Sequence, residues 1–365
     1  MKMTSSSPQR SLLEPEIHHD SEFRKLQRST PEPWGKRFVT TCARRLRDSA
    51  FLFSAIVKGF RALQRAGISV TPNHFYWPVP DLSELEKRKW PVYATPPGCD
   101  FCLRAQASLA RQFKRQYLAE LTFTSQPSAD SYHYANGYFE SCDAEVAYCM
   151  VRHWKPRRIV EIGSGYSTRM LAAALRANIE VDGVFGDLIT VDPHPERLPQ
   201  NGLGDLVTIV PEPIQDVDAR LFLSLGPDDI LFIDSSHVVA VGSDVTRQYL
   251  EILPALHPGV LVHVHDIFLP SDYPRQAVLK NFWFWSEQYL LQAFLSFNRE
   301  FEVLWSGSAM QFAHTRVLEE CFPRWKNSYR EIPAAQRRFI PSVDGSRVWP
   351  SSFWMRRVQH QGPNP

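Results

Sequence analysis

The chain has 365 residues and is 44% hydrophobic, so it is long enough for one large domain or two ordinary ones with an ample core. Its formal net charge of +2 gives no reason to expect a nucleic-acid partner. The polar N-terminus lacks a signal-peptide pattern, and the apolar run at 51–57 is far too short to span a bilayer. The six cysteines show no disulfide-framework spacing, so we expect reduced thiols in a cytoplasmic protein.

The first part of the chain predicts helices and irregular segments. Residues 1–35 are polar, contain several prolines and have no sustained apolar period, which predicts a disordered tail. A helical extension then covers 36–140, interrupted at 70–98 by a connector rich in proline and aromatic residues. The predicted helices of this part and of the segment that follows lie at 36–66, 100–124 and 141–154.

From residue 158 onward short β-rich runs alternate with helical stretches, which indicates a parallel sheet covered on both faces. The predicted strands lie at 158–163, 187–192, 205–210, 229–234 and 259–265. The predicted helices lie at 166–177, 215–224, 242–256 and 275–297. Two further runs, 301–305 and 309–313, predict a hairpin that closes the sheet with an antiparallel strand. We therefore predict an α/β fold with a Rossmann-like, doubly wound, seven-stranded sheet over 141–315 and a C-terminal extension over 316–365.

The most specific motif is the strand–loop–helix turn Glu161-Ile-Gly-Ser-Gly-Tyr166. Its glycines let the backbone approach a ligand, and the helix that begins at Tyr166 offers free N–H groups. A carboxylate two residues before the first glycine would repel a pyrophosphate and attract a cation. The positively charged amino acid end of S-adenosylmethionine suits such a turn, and the candidate contacts are Glu161, Gly163, Ser164, Gly165 and Tyr166.

Two further acids follow the next strands. Asp192 ends the second strand, where an acid in a doubly wound fold hydrogen-bonds the ribose diol of a bound nucleoside. The alternative for Asp192 is a solvated turn residue before Pro193. Asp216 stands at the start of the helix after the third strand, where a polar side chain would meet the adenine amino group. An N-cap is an equally good use of Asp216.

The fourth and fifth strands both end in acidic and imidazole side chains. Asp234 ends the fourth strand and is followed by His237, while the fifth carries His265 on one face and Asp266 at its tip. Asp234, His265 and Asp266 are candidate ligands of one divalent cation, and the alternative is a hydrogen-bonded cluster without metal. His237 is a candidate general base, because an imidazole titrates near neutrality, or a group that orients Asp234.

These motifs resemble those of the class I S-adenosylmethionine-dependent methyltransferases. Glu161-Ile-Gly-Ser-Gly165 looks like the family's first motif, Asp192 like its ribose-binding acid, and Ile233-Asp234 like its fourth-strand motif. A third glycine of the first motif is absent, and Ser167 and Thr168 stand nearby instead. The resemblance covers about 150–315, under half of the chain.

A narrower resemblance rests on Asp234-Ser-Ser-His237 together with His265-Asp266. This combination is similar to the metal-assisted O-methyltransferases that act on hydroxyls of sugars or natural products. In those enzymes the acid after the fourth strand and an acidic pair after the fifth hold magnesium. Here His265 stands where the pair has its first acid.

The resemblance implies an enzyme that methylates a hydroxyl of a small molecule or glycan, with Asp234 and His237 as candidate catalytic residues. A cation at Asp234 and Asp266 would stabilise the developing alkoxide. The aromatic run at 282–285 suits core or interface packing, a homo-oligomer surface, or a substrate wall. The first alternative function is a nicotinamide-dependent oxidoreductase, against which Glu161 and the missing third glycine weigh. The second is a non-catalytic interaction module, which would need no acids at the strand ends.

Overall fold

The computed structural model describes residues 50–71, 78–90, 92, 95–198 and 203–358, and the chain divides into the units 1–77 and 78–365. In the first unit the described element is helix α1 (Ala50–Arg65), which lies within the helix predicted over 36–66. The predicted tail at 1–35 and the start of that predicted helix lie outside the described residues. No helix in the described ranges is long and apolar enough to cross a membrane.

The described part of the second unit contains one seven-stranded sheet with the order β3-β2-β1-β4-β5-β7-β6. The strands are β1 (Arg158–Ile162), β2 (Asp187–Val191), β3 (Val207–Val210), β4 (Ile230–Ile233), β5 (Leu261–Val264), β6 (Phe301–Ser306) and β7 (Phe353–Arg357). Strands β1 to β5 pair in parallel, and β7 runs antiparallel to both β5 and β6. The predicted doubly wound sheet with an antiparallel strand is confirmed.

Helices cover both faces of the sheet. They are α2 (Leu82–Leu85), α3 (Leu103–Gln116), α4 (Asp143–Trp154), α5 (Tyr166–Asp182), α6 (Arg220–Leu223), α7 (Asp244–Arg247), α8 (Leu253–Ala255), α9 (Arg275–Leu279), α10 (Glu287–Leu295), α11 (Gly307–Ala313), α12 (Thr315–Cys321), α13 (Ser328–Glu331) and α14 (Ala334–Arg337). A π-helical turn, Gln248–Ile252, joins α7 to α8. Because side chains alternate along a strand, Phe232 belongs to one apolar core and its neighbours Leu231 and Ile233 to the core on the other face.

The predicted hairpin is wrong in its second strand. Residues 309–313 belong to helix α11, because the Ser306 hydroxyl accepts the N–H of Ala309 and caps a helix directly after β6. The strand that pairs with β6 is β7, which comes from the segment predicted as a C-terminal extension and inserts between β5 and β6. Local turn signals could not reveal a partner so distant along the chain.

The single helix predicted over 275–297 is also wrong, because two helices, α9 and α10, occupy that range. The backbone between them includes Phe282 at a φ of +58°, which an α-helix cannot accommodate. Helix α10 restarts where the N–H groups of Ser286 and Glu287 donate to the carbonyl oxygen of His237, over 2.9 and 3.1 Å. The break therefore ties this segment to the end of β4.

Candidate active site

A cavity of about 740 Å³ opens beyond the carboxyl ends of β1, β2, β4 and β5. The strand order reverses between β1 and β4, which is where sheets of this kind bind ligands, and the volume suits a small molecule. Most of the predicted site residues line this one cavity: Gly163, Ser164, Gly165, Tyr166, Asp192, Asp234, His237, His265 and Asp266. Glu161 and Asp216 do not line it.

Gly163 allows the loop after β1 to pack on the end of β4. Its φ is +87°, and a Cβ atom there would collide with the backbone carbonyl oxygen of Asp234. The backbone N–H of Asp234 donates to Ile162 over 2.9 Å, so the two strand ends are joined directly. Gly165 has open space where its Cβ would lie, which leaves room on the cavity wall. The two glycines thus serve close packing and ligand access, respectively.

The half-buried carboxylate of Asp192 fixes the loop that follows Gly163. One of its oxygens accepts the backbone N–H of Ser164 over 2.9 Å and the Ser164 hydroxyl over 2.6 Å. The other accepts the N–H of His194 over 2.7 Å. Since two carboxylate oxygens offer about four acceptor positions, Asp192 retains capacity for a ligand hydroxyl at the cavity edge.

Glu161, which was predicted to contact the ligand, does not line the cavity. The side chain is fully buried, and its two oxygens accept the hydroxyls of Ser167 and Thr168, each over 2.7 Å. Burial raises the pKa of Glu161 to about 8, although these hydroxyl bonds oppose the rise. Glu161 therefore ties β1 to the first turn of α5, behind the cavity wall.

Asp216, which was predicted to contact the adenine, likewise does not line the cavity. Asp216 is exposed, and its backbone N–H closes a turn onto Pro213 over 2.9 Å. The preceding residue, Gln215, lines the cavity instead. The sequence located the correct loop, but the turn geometry decided which of two adjacent polar side chains faces the cavity.

His237 is the most constrained side chain of the cavity. Its Nδ1 lies 2.8 Å from Oε2 of Glu287, a fully buried carboxylate. Its Nε2 lies 3.5 Å from Asp234 Oδ1 and 3.6 Å from Asp266 Oδ2. Burial lowers the pKa of His237, but the hydrogen bonds to Asp234 and Glu287 and the charges around the ring outweigh it and hold this pKa well above its usual value. The ring of His237 thus lies between the buried carboxylate of Glu287 and the carboxylates of Asp234 and Asp266, which line the cavity.

The predicted metal ligands Asp234, His265 and Asp266 are neighbours but do not converge on a point. Within the described ranges, no group of three or more His, Cys, Asp or Glu side chains has a geometry that could hold a metal ion. Nε2 of His265 is 3.9 Å from Asp266 Oδ1, and that oxygen also accepts the Ser351 hydroxyl over 3.1 Å. The donor set therefore does not fit a magnesium ion, which needs close oxygen ligands.

Aromatic side chains form another part of the cavity wall. Tyr138 and Phe139 line it, and Tyr138 stacks on Tyr166 with ring centroids 5.9 Å apart. The loop that carries Tyr138 is held by the buried carboxylate of Glu140, which accepts the N–H groups of Ala135 and Gly137 over 3.1 and 2.7 Å. No role for this segment was predicted from the sequence, in which an aromatic cluster beside a glycine is its only signal.

Two residues beside His237 come from the start of α10, Trp285 from the break before this helix and Glu287 as its first residue. Trp285 lines the cavity with its ring 4.7 Å from that of His237, so one member of the aromatic run lies on the cavity wall. Glu287, which contacts the other side of the His237 ring, was missed. No sequence signal separates Glu287 from an ordinary acid in the first turn of a helix.

Comparison with known proteins gives one family match. Residues 160–267, which contain the glycine loop, Asp192, Asp234, His237 and Asp266, match a family described as a methyltransferase domain. An uncharacterized protein of Archaeoglobus fulgidus is 25% identical over 180 residues, which are 47% of this chain and 80% of that protein.

Solved structures give weaker likenesses. A methyltransferase of Podospora anserina bound to S-adenosylhomocysteine is 15% identical with a TM-score of 0.35, and the match covers 70% of this chain and 88% of that one. An O-methyltransferase of Bacillus cereus in complex with S-adenosylhomocysteine is 14% identical with a TM-score of 0.33, over 70% and 91% of the two chains.

Proposed function

Residues 160–267 match a methyltransferase domain and lie on a doubly wound sheet, and we propose that the chain is a class I S-adenosylmethionine-dependent methyltransferase that methylates a hydroxyl group of a small-molecule or glycan acceptor. The observation that carries this proposal is the position of His237. Its Nε2 stands between Asp234 and Asp266 in the cavity that the glycine loop and Asp192 also line. One cavity thus offers a nucleoside site beside groups that can handle a hydroxyl proton.

The donor is proposed to lie along the carboxyl ends of β1 and β2. Its amino acid end would meet Gly163, Ser164, Gly165 and Tyr166, with its ribose diol at Asp192. Gln215 replaces Asp216 as the polar side chain proposed for the adenine edge. The lining contains four carboxylates, Asp192, Asp234, Asp244 and Asp266, and its described residues include no Lys or Arg. Such a lining favours a sulfonium over the diphosphate of a nicotinamide cofactor, which weighs against the oxidoreductase alternative.

The chemistry is an in-line displacement that needs positioning and removal of one proton. The acceptor oxygen attacks the methyl carbon while the carbon–sulfur bond breaks and its electron pair stays on sulfur. The hydroxyl proton passes to the carboxylate of Asp234. The protonated ring of His237 donates its Nε2–H to the oxygen as negative charge develops there. The products are the methyl ether and neutral S-adenosylhomocysteine.

A magnesium ion on Asp234, His265 and Asp266 is not part of this proposal, because those side chains do not converge. A cytoplasmic location is part of it, since the five cysteines within the described residues are free thiols. A homo-oligomer and the absence of a nucleic-acid partner stay predictions.

The donor half of the proposal is tested by calorimetric titration of the full chain with S-adenosylhomocysteine. We expect saturable binding that weakens in Asp192→Ala and is unchanged in Asp216→Ala, whose side chain lies outside the cavity. The acceptor half is tested by incubating a metabolite extract with the protein and methyl-labelled donor, followed by mass spectrometry. Labelled methyl ethers that His237→Ala does not produce would support it, and label found only on nitrogen or carbon would overturn it.

A further inference from the structure

We infer that the imidazole ring of His237 occupies the place of a divalent cation between Asp234 and Asp266, so that methyl transfer at this site proceeds without a bound metal. This inference rests on the proposed function, because it concerns how the same acceptor oxygen is stabilised. It departs from the magnesium-assisted mechanism that the sequence motifs imply.

The ring of His237 lies close to both Asp234 and Asp266. Two carboxylates that face each other across a cavity need a positive charge between them, and a metal ion commonly supplies it. Here Nε2 of His237 is 3.5 Å from Asp234 Oδ1 and 3.6 Å from Asp266 Oδ2. An ion that bridged these two oxygens at about 2.1 Å from each would have to compete with the ring for both of them.

The ring of His237 is fixed in this position. The backbone carbonyl oxygen of His237 accepts two backbone N–H groups from the start of α10, those of Ser286 and Glu287. The Glu287 carboxylate binds Nδ1 over 2.8 Å, and the ring of Trp285 lies 4.7 Å away. The His237 residue is only 6% exposed. A ring held at its backbone and at its second nitrogen cannot swing aside to admit an ion at low cost.

The two carboxylate oxygens of Asp266 have different partners. Its Oδ2 faces His237, whereas its Oδ1 accepts the Ser351 hydroxyl and lies 3.9 Å from the His265 ring. The third predicted ligand, His265, thus approaches the oxygen of Asp266 that does not face His237. A cation in the space that the His237 ring occupies would lie beside the other oxygen of Asp266.

Glu287 is a positioning residue, because its carboxylate holds the ring of His237. It touches neither the acceptor nor the donor in this scheme, since it is fully buried behind the ring. Its carboxylate contacts Nδ1 of His237, so Nε2 is the ring nitrogen that faces Asp234 and Asp266. Glu287 thereby holds the ring in the space where the sequence motifs predicted a metal ion.

The inference is tested by measuring Mn²⁺ binding to the full chain, which serves as a spectroscopic probe for Mg²⁺. After chelator treatment and dialysis, the protein is titrated with Mn²⁺ in the presence of saturating S-adenosylhomocysteine, and free Mn²⁺ is followed by electron paramagnetic resonance. We expect no saturable binding by the parent chain. In His237→Ala, which vacates the space between Asp234 and Asp266, a saturable site is expected to appear. The double variant His237→Ala, Asp266→Ala should lose it again.

Saturable binding of about one Mn²⁺ by the parent chain, abolished by Asp266→Ala, would overturn the inference. S-adenosylhomocysteine titration of each variant shows whether its cavity is intact. That titration also separates the two proposals, since failure to bind S-adenosylhomocysteine would sink the proposed function while the Mn²⁺ result would still decide what lies between the two carboxylates.

Discussion

The backbone of Gly163 packs against the backbone carbonyl of Asp234, closely enough that no side chain fits between them. This contact joins the glycine loop after β1 to the end of β4, where Asp234 lies. Gly163 adopts a φ of +87° there. The loop after β1 and the end of β4 are therefore held together by main-chain atoms. A side-chain substitution elsewhere cannot restore this contact once it is lost.

We expect Gly163→Ala to lower the free energy of unfolding by about 2 kcal/mol or more, because a Cβ at this φ is strained and also meets a carbonyl oxygen. Denaturant titration measures the loss. Gly165→Ala is the matched control, since its Cβ would lie in open space. It should keep the stability of the parent and weaken only S-adenosylhomocysteine binding. Equal stability of Gly163→Ala and the parent would show that this contact is not needed.

Asp192→Asn should weaken S-adenosylhomocysteine binding about tenfold or more, which corresponds to about 1.4 kcal/mol. The reason is that the carboxylate accepts both the N–H and the hydroxyl of Ser164 while facing the cavity, and an amide has only one acceptor oxygen. Isothermal titration calorimetry measures the change. Asp216→Asn, on the exposed turn outside the cavity, is the control and should bind like the parent. Unchanged binding by Asp192→Asn would contradict a ribose contact.

The rate of methyl transfer should fall as pH rises through the pKa of His237. Asp234, Asp266 and Glu287 face this ring and raise its pKa, so the charged form persists above pH 6.5 and is lost only at higher pH. Glu287→Gln removes one of these charges, and we expect kcat to fall about tenfold, with KM little changed and the alkaline limb moved to lower pH. Release of S-adenosylhomocysteine measured across pH gives the profile.

Glu287→Asp supplies the control for that experiment, because it keeps the charge and should recover part of the parent profile. A merely structural role for Glu287 would change the amount of folded protein without moving the pH limb. Activity that rises over the same pH window would instead identify the neutral His237 ring as the general base, which is the other role that the sequence left open.

The stability of the fold should fall as pH rises from about 5 to about 8. The pKa of Glu161 is raised from 4.5 to about 8 by burial, so the folded state holds a proton that the unfolded chain releases across this window. The stabilisation is fully present below the unfolded pKa and is lost as pH passes the folded one, at about 1.4 kcal/mol per pKa unit.

Glu161→Gln should flatten that dependence, because the amide has no proton to release. Denaturant titrations at several pH values compare the slopes, with Glu212→Gln on the exposed surface as the control. The pKa values of Glu140 and Glu145 are also raised, to about 7, so Glu161→Gln should keep part of the slope below pH 7 and lose it chiefly between pH 7 and 8. Identical slopes for Glu161→Gln and the parent would mean that Glu161 is not protonated in the fold.

Much of the cavity wall formed by β1, β2 and β4 was predictable because it depends on local chain geometry. The parallel strands, the glycine turn after β1 and the acids at the ends of β2 and β4 all follow from short patterns. Parallel strands deliver their carboxyl ends to one edge, so residues such as Gly163, Asp192 and Asp234 had to meet once the strands were recognised. Whether a single side chain lines the cavity was less predictable, as Glu161 and Asp216 show.

By itself, the sequence determined the parallel strands, the glycine turn after β1 and the acids at the ends of β2 and β4, since periodicity and turn chemistry act over a few residues. Only the tertiary structure decided that β7 enters between β5 and β6, that the helix predicted across 275–297 breaks, and that Glu287 reaches His237 from the start of the helix after that break. These features join segments far apart in the chain. Their energies come from packing and hydrogen bonds between elements, and no local pattern records which distant partner a strand or a buried carboxylate will find.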